Sequence, residues 1–191
     1  MTLEIIIARY GLMALFLGAG IEGETVVVAS GVLVHKHLLP FPQAIAAAAA
    51  GSFLADQIFF AIGRRFRDHP RVRRITAKPA FARAYAMLER HPVGFVLAFR
   101  FLYGLRIMSP LAIGTSAMKM RRFVPLNAAA AIVWATSFVT LGALFGNALD
   151  RMFGQLSPAG HAMIAAAAVS LGLLGSTLIL HRLHRPSGSA S

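Results

Sequence analysis

"FRFLYGLR", residues 99–106, sets Arg100 and Arg106 inside a stretch, residues 93–117, that is otherwise almost wholly apolar. Whether that stretch crosses a membrane, turns back within one or fills a soluble core decides the fold. Composition argues against the soluble core: 57% of the 191 residues are hydrophobic, 14% are charged, and the mean hydropathy is +0.67, above the range of a soluble domain. Outside it, residues 5–21, 43–63, 123–148 and 162–180 are apolar over roughly the 20 residues that a spanning helix needs. The first of these does not read as a cleaved leader. Glu4 stands where a positive region belongs, and Glu22 and Glu24 follow without a small-residue cleavage site, so the segment is expected to remain as a span.

Charge gives the orientation. The net charge is +12, and nine of the 19 basic residues lie in residues 64–90 against two acids, Asp68 and Glu89. In a soluble protein such a run suggests nucleic acid. Beside a span it reads as a cytoplasmic loop lying against anionic lipid, so no nucleic-acid partner is expected. Lys119, Arg121 and Arg122 before the span at 123–148, and Arg182 and Arg185 after the last one, then fall on the same side. The first span is expected to start in the cytoplasm, which puts both termini there. There are no cysteines, so neither disulfides nor thiol chemistry enters.

Two regions fit poorly as full spans. Residues 22–42 are apolar over only about ten positions, "TVVVASGVLV", which is short for a span. Residues 91–118 could cross once, but crossing would put Arg121 and Arg122 outside. A helical hairpin that leaves on the side it came from, broken near Gly104 or Pro110, keeps the charge rule, and its non-helical backbone must be covered by protein or face a wet cavity. Each half of the chain thus has a broken segment followed by a span, which is the pattern of inverted repeats. The expected fold is an all-α membrane protein: about four transmembrane helices and two re-entrant hairpins in inverted repeat. Residues 1–183 form a single membrane domain, and residues 184–191 a disordered polar tail.

Ionisable groups at membrane depth are costly and are usually paired or functional. The candidates are Glu22, Glu24, Asp56, Arg100 and Arg106. Desolvation favours the protonated form of a carboxylate, so Glu22 and Glu24, at the mouth of the first broken segment, are candidates to carry protons. Asp56 shares a helical face with Phe60 and Gly63. An arginine fork suits a phosphate better than a lysine does, because it gives paired hydrogen bonds and stays charged when partly dehydrated. The plainer alternative is that Arg100 or Arg106 pairs with Asp56 and the other takes a free carbonyl. Enzyme motifs are weak: Ser157 and His161 in "SPAGH" lie in an outer loop. His35 and His37 are a poor metal site, so neither a metal nor a cofactor is expected. "GALFG", residues 142–146, is a close-packing pattern that suits a homodimer or, more plainly, contact within one chain.

Four stretches together resemble the DedA family, also described as SNARE-associated or VTT-domain membrane proteins: "GETVVVASGVL" (23–33), "GSFLADQIFFAIGRRF" (51–66), "FRFLYGLRIMSPLAIGTSAM" (99–118) and "RFVPLNAAAAIVWA" (122–135). The likeness covers residues 20–147. The third stretch carries the family's aromatic-Arg-aromatic-x-x-Gly-x-Arg signature, and the fourth adds Phe123 and Asn127 with a later Trp. Tyr103 stands where the family commonly has Pro before Gly104, and Phe60 stands where it has Tyr. "IEGE" leaves open whether Glu22 or Glu24 is the family's acidic position, with Glu24 favoured by its setting in "GET".

The resemblance implies a bacterial inner-membrane protein that translocates lipids, with undecaprenyl phosphate and proton coupling proposed for members, and it implies two re-entrant hairpins. The expected function is translocation of a phosphate-bearing lipid. Arg100 and Arg106 would bind the headgroup, Glu24, Asp56 and Glu22 would handle protons, and Gly104, Tyr103, Pro110 and Asn127 would shape the site. The alternatives are a proton-coupled antiporter of small ions and a polyprenyl-diphosphate phosphatase. Membrane lipids, either anionic phospholipid or polyprenyl phosphate, are the expected partners.

Overall fold

The computed structural model describes residues 3–76, 79–101, 108–153 and 160, and the elements among them are helical. In chain order they are α1 (Leu3–Ile21), α2 (Glu24–His35), α3 (Phe41–Arg65), α4 (Pro70–Thr76), α5 (Pro79–Arg90), α6 (Pro92–Ala98), a 3₁₀ turn (Phe99–Phe101), α7 (Met108–Thr115) and α8 (Met120–Phe153). The 162–180 stretch, the tail, and Tyr103, Gly104 and Arg106 lie outside the described residues.

α3 and α8 form the frame. The 25 residues of α3 extend about 37 Å, enough to cross a hydrocarbon layer of about 30 Å. Among the described residues these two helices are the ones long and apolar enough for that. They run antiparallel: Phe60 stacks on Phe123 with ring centroids 4.5 Å apart, and Asp56 and Asn127 bind a common partner further along. Their outward faces carry exposed apolar side chains, Leu54, Ile58 and Ile62 on α3 and Ile132, Leu141 and Phe145 on α8. A contiguous apolar exterior of this kind marks a surface meant for lipid.

Two helical hairpins fill the frame from opposite ends. α1 runs parallel to α3: Gly11 lies by Leu39, Phe16 by Gly51, and Gly20 by Gly51 and Ala55. α2 turns back and runs parallel to α8, with Val28 and Gly31 against Gly142 and His35 against Gly146. The break between α1 and α2 is at Gly23, whose φ of 94° and ψ of −107° are open essentially to glycine alone. At the opposite end α6 leads inward, Phe95 and Phe99 joining Phe60 and Phe123 in one apolar cluster. α7 leads back out, Gly114 lying on Gly63 and Met118 accepting from Arg64.

The end of α1 and the end of the 3₁₀ turn come to one level. Gly20, just before the first, rests on Gly51 and Ala55, and Arg100, just before the second, bonds Ser52 and Asp56. The contacts repeat in inverted form: α1 and α2 pack parallel to α3 and α8, and α6 and α7 parallel to α8 and α3. The close glycine crossings, Gly31–Gly142 and Gly114–Gly63, are equivalent under this exchange, since residues 41–63 and 120–142 are equally long.

Two expectations are corrected. The first hairpin is not contained in residues 22–42: its break is at Gly23, α2 after it is one unbroken helix, and the hairpin's other arm is α1, the segment expected to be an independent span. The start of α1 lies at the end of the bundle with Phe41 and Asp150, opposite Arg64 and Lys119. Leu3 and Arg64 therefore lie at opposite ends of the bundle. The reason is packing: small residues at Gly20 and Gly51 let α1 lie closely along α3 in the parallel sense, and an antiparallel α1 would lose that fit.

Candidate functional site

At the level where α1 and the 3₁₀ turn end, a charged cluster sits among apolar walls. Phe99 and Arg100 belong to the 3₁₀ turn that ends α6, and Arg100 is 1% exposed. Its guanidinium donates from Nη1 to Ser52 Oγ and from Nη2 to Asp56 Oδ2, and from Nη2 again to Asn127 Oδ1 at 2.9 Å. The ring of Phe99 lies 5.7 Å from the guanidinium carbon, which suits a cation facing an aromatic surface. Ser52 and Asp56 are one helical turn apart on α3, so they share a face, and Asn127 faces them from α8.

Asp56, Phe60 and Gly63 form the buried face of α3 that their spacing predicts. Asn127 also stands at the site, 0% exposed, and its Nδ2 has no hydrogen-bond partner among the described residues. Ser109 and Pro110, on the first turn of α7, are fully buried, a place where proline's missing N–H costs nothing. Glu24 opens α2 and Glu22 precedes the break, both half-buried. The Arg100–Asp56 pair matches the Asp56 half of the plainer sequence alternative; Arg106, which the other half concerns, lies outside the described residues.

Sequence reasoning missed Ser52 as a guanidinium acceptor and Phe99 as its aromatic neighbour. The i, i+4 spacing of Ser52 and Asp56 was the available signal for the first.

The remaining candidates are occupied elsewhere. His35 Nε2 lies 2.9 Å from Asp150 Oδ2, and Lys36 Nζ donates to both Asp150 oxygens at 2.9 and 2.7 Å. This triad ties the end of α2 to the end of α8. His37 is exposed in a turn with φ 59°. Among the described residues no group of three or more metal-ligating side chains gathers. Gly142 and Gly146 are spent against Gly31, Val28 and His35 within the chain, so the "GALFG" pattern gives no argument for a dimer. Ser157 and His161 lie outside the described residues.

A buried guanidinium, a carboxylate and an amide, brought together between two long apolar helices, define a helical membrane protein with a buried ionic site. The chain belongs to the DedA/VTT-domain family of inner-membrane proteins, a VTT domain matching residues 21–144. It is 38% identical over 149 residues, 78% of each chain, to inner membrane protein YohD of Escherichia coli K12. It is 26% identical over 171 residues to inner membrane protein YqjA of the same strain, covering 85% of this chain and 76% of YqjA. With inner membrane protein YghB it shares 27% over 125 residues, 64% of this chain and 57% of YghB. No solved structure matches the chain significantly.

Proposed function

We propose that this protein is a transporter, not an enzyme, and that it translocates a phosphate-bearing lipid such as undecaprenyl phosphate across the inner membrane with proton coupling. The observation that carries the reading is Arg100: a cation 1% exposed on the broken tip of a helix, where a charge persists only with partners or a purpose. In the described state its fork is taken by Asp56, Ser52 and Asn127. A lipid phosphate and the Asp56 carboxylate compete for the same nitrogens. A proton on Asp56 removes the competing charge and releases the fork to the phosphate, with the Nδ2 of Asn127 as a further donor and Arg106, six residues on, as a second cation. Loss of that proton would expel the phosphate. Glu24 and Glu22, at the other break, are positioned in sequence to relay protons. Two breaks reached from opposite ends fit a headgroup that crosses through the centre while its chains stay in lipid.

The test is transport of labelled polyprenyl phosphate in proteoliposomes under an imposed pH gradient. Arg100→Gln and Arg106→Gln are expected to abolish it. Transport unchanged in both overturns the assignment, cation exchange without lipid movement would replace it by small-ion antiport, and phosphate released from polyprenyl diphosphate by the purified protein would make it an enzyme.

A further inference from the structure

The basic end of the bundle holds a groove of about 830 Å³ between α5–α6 and the start of α8. One wall presents Lys119, Arg121 and Arg122, the other Glu89, and Val93 and Leu126 are part of its apolar lining. The three cations are exposed, and among the described residues none pairs with a carboxylate. A second cleft of about 430 Å³ beside Arg64 and Arg67 differs. There Arg64 donates to the Met118 carbonyl and lies over the Phe60 ring at 5.2 Å, and Arg67 pairs with Asp68 at 3.6 Å. In that cleft Arg64 and Arg67 are engaged and Arg65 is exposed, whereas all three cations of the groove lack a carboxylate partner among the described residues.

We propose that this groove is a binding site for an anionic phospholipid, separate from the Arg100 site. The phosphate would sit against Lys119, Arg121 and Arg122, and the acyl chains would pass over Val93 and Leu126. Met87 on α5 and Leu97 on α6, the helices of that wall, are exposed apolar side chains. Charge complementarity selects the anion, and the apolar wall beside the charges selects a lipid over free phosphate. A lipid held there would hold α5 and α6, the inward arm of the second hairpin, to the start of α8. The inference does not depend on what the Arg100 site carries.

The experiment uses the full chain in nanodiscs with a photoactivatable phosphatidylglycerol whose diazirine is on an acyl chain, the adducts being mapped by peptide mass spectrometry. Adducts are expected at Val93 and Leu126. Unlabelled phosphatidylglycerol should displace them, while phosphatidylcholine and inorganic phosphate should not. Each Gln replacement of Lys119, Arg121 or Arg122 should cut labelling roughly fivefold, the scale of one basic residue at an anionic surface. Glu89→Gln, which removes a repelling charge without loss of a cation, should raise it. Arg100→Gln should leave it unaltered, so that failure of the transport reading and failure of this one are told apart. Labelling that phosphatidylcholine competes equally, that inorganic phosphate abolishes, or that survives all three cation replacements in a monodisperse protein overturns the proposal.

Discussion

Nη2 of Arg100 donates to Asp56 on α3 and to Asn127 on α8 at once, so one side chain from the second hairpin joins the two frame helices at their antiparallel crossing. Its burial makes the pair asymmetric. Removing one partner leaves an uncompensated charge at a cost of about 3–5 kcal/mol, whereas replacing both by apolar groups can be nearly neutral. Asp56→Leu is therefore expected to lower thermal stability steeply in detergent, and Asp56→Leu with Arg100→Leu to recover much of it. A double variant no more stable than the single one contradicts the account.

Asn127 has a spare donor at the site. Asn127→Ala should keep the fold while removing an acceptor from the Arg100 guanidinium, so lipid transport should fall about tenfold or more, the scale of a hydrogen bond to a charged group, against near-complete loss in Arg100→Gln. Equal losses in both variants would mean that Asn127 acts only by holding Arg100.

The glycine crossings set the distance between hairpins and frame. A Cβ on Gly142 would run into the Val28 carbonyl, one on Gly31 into that of Val139, and one on Gly114 into that of Phe60. Because the obstacle is backbone in each case, Gly142→Ala and Gly114→Ala should each cost about 1–3 kcal/mol. The measurement is the melting temperature, with Gly94→Ala as control, since a Cβ there meets His91 only at 3.9 Å.

Gly23 carries the first break. Its backbone geometry should make Gly23→Ala destabilising by about 1–3 kcal/mol. Hydrogen exchange should report the opening in α1 and α2 before α6 and α7.

The triad of Asp150 with His35 and Lys36 is partly buried, with 14–26% of each side chain exposed. Asp150→Asn removes the charge common to both contacts and should cost about 1–3 kcal/mol. Exchange should rise at Val34–Lys36, and high salt should weaken the wild-type protein towards the variant. Wild-type stability indifferent to salt would show that the charges are not what holds α2 to α8.

Much of this was legible in the chain. Hydrophobic length marked α3 and α8, the run of arginines marked one end, and the isolated charges at Asp56 and Arg100, with the family signature that adds Asn127, marked the centre. These features are readable because each follows from local composition measured against a membrane's thickness and dielectric. The direction of α1 was not, since an apolar stretch of 19 residues has the same hydropathy whether it crosses alone or forms one arm of a hairpin. That choice rests on which glycine meets which backbone, Gly20 on Gly51 and Gly31 on Gly142, a relation between residues far apart in sequence. The same holds for Ser52, an ordinary helical serine until Arg100 arrives 48 positions later to donate to it. By itself the sequence determined that charges would be buried in a lipid-facing helical protein. Only the tertiary structure decided which charges meet, because burial is a property of composition and pairing is a property of packing.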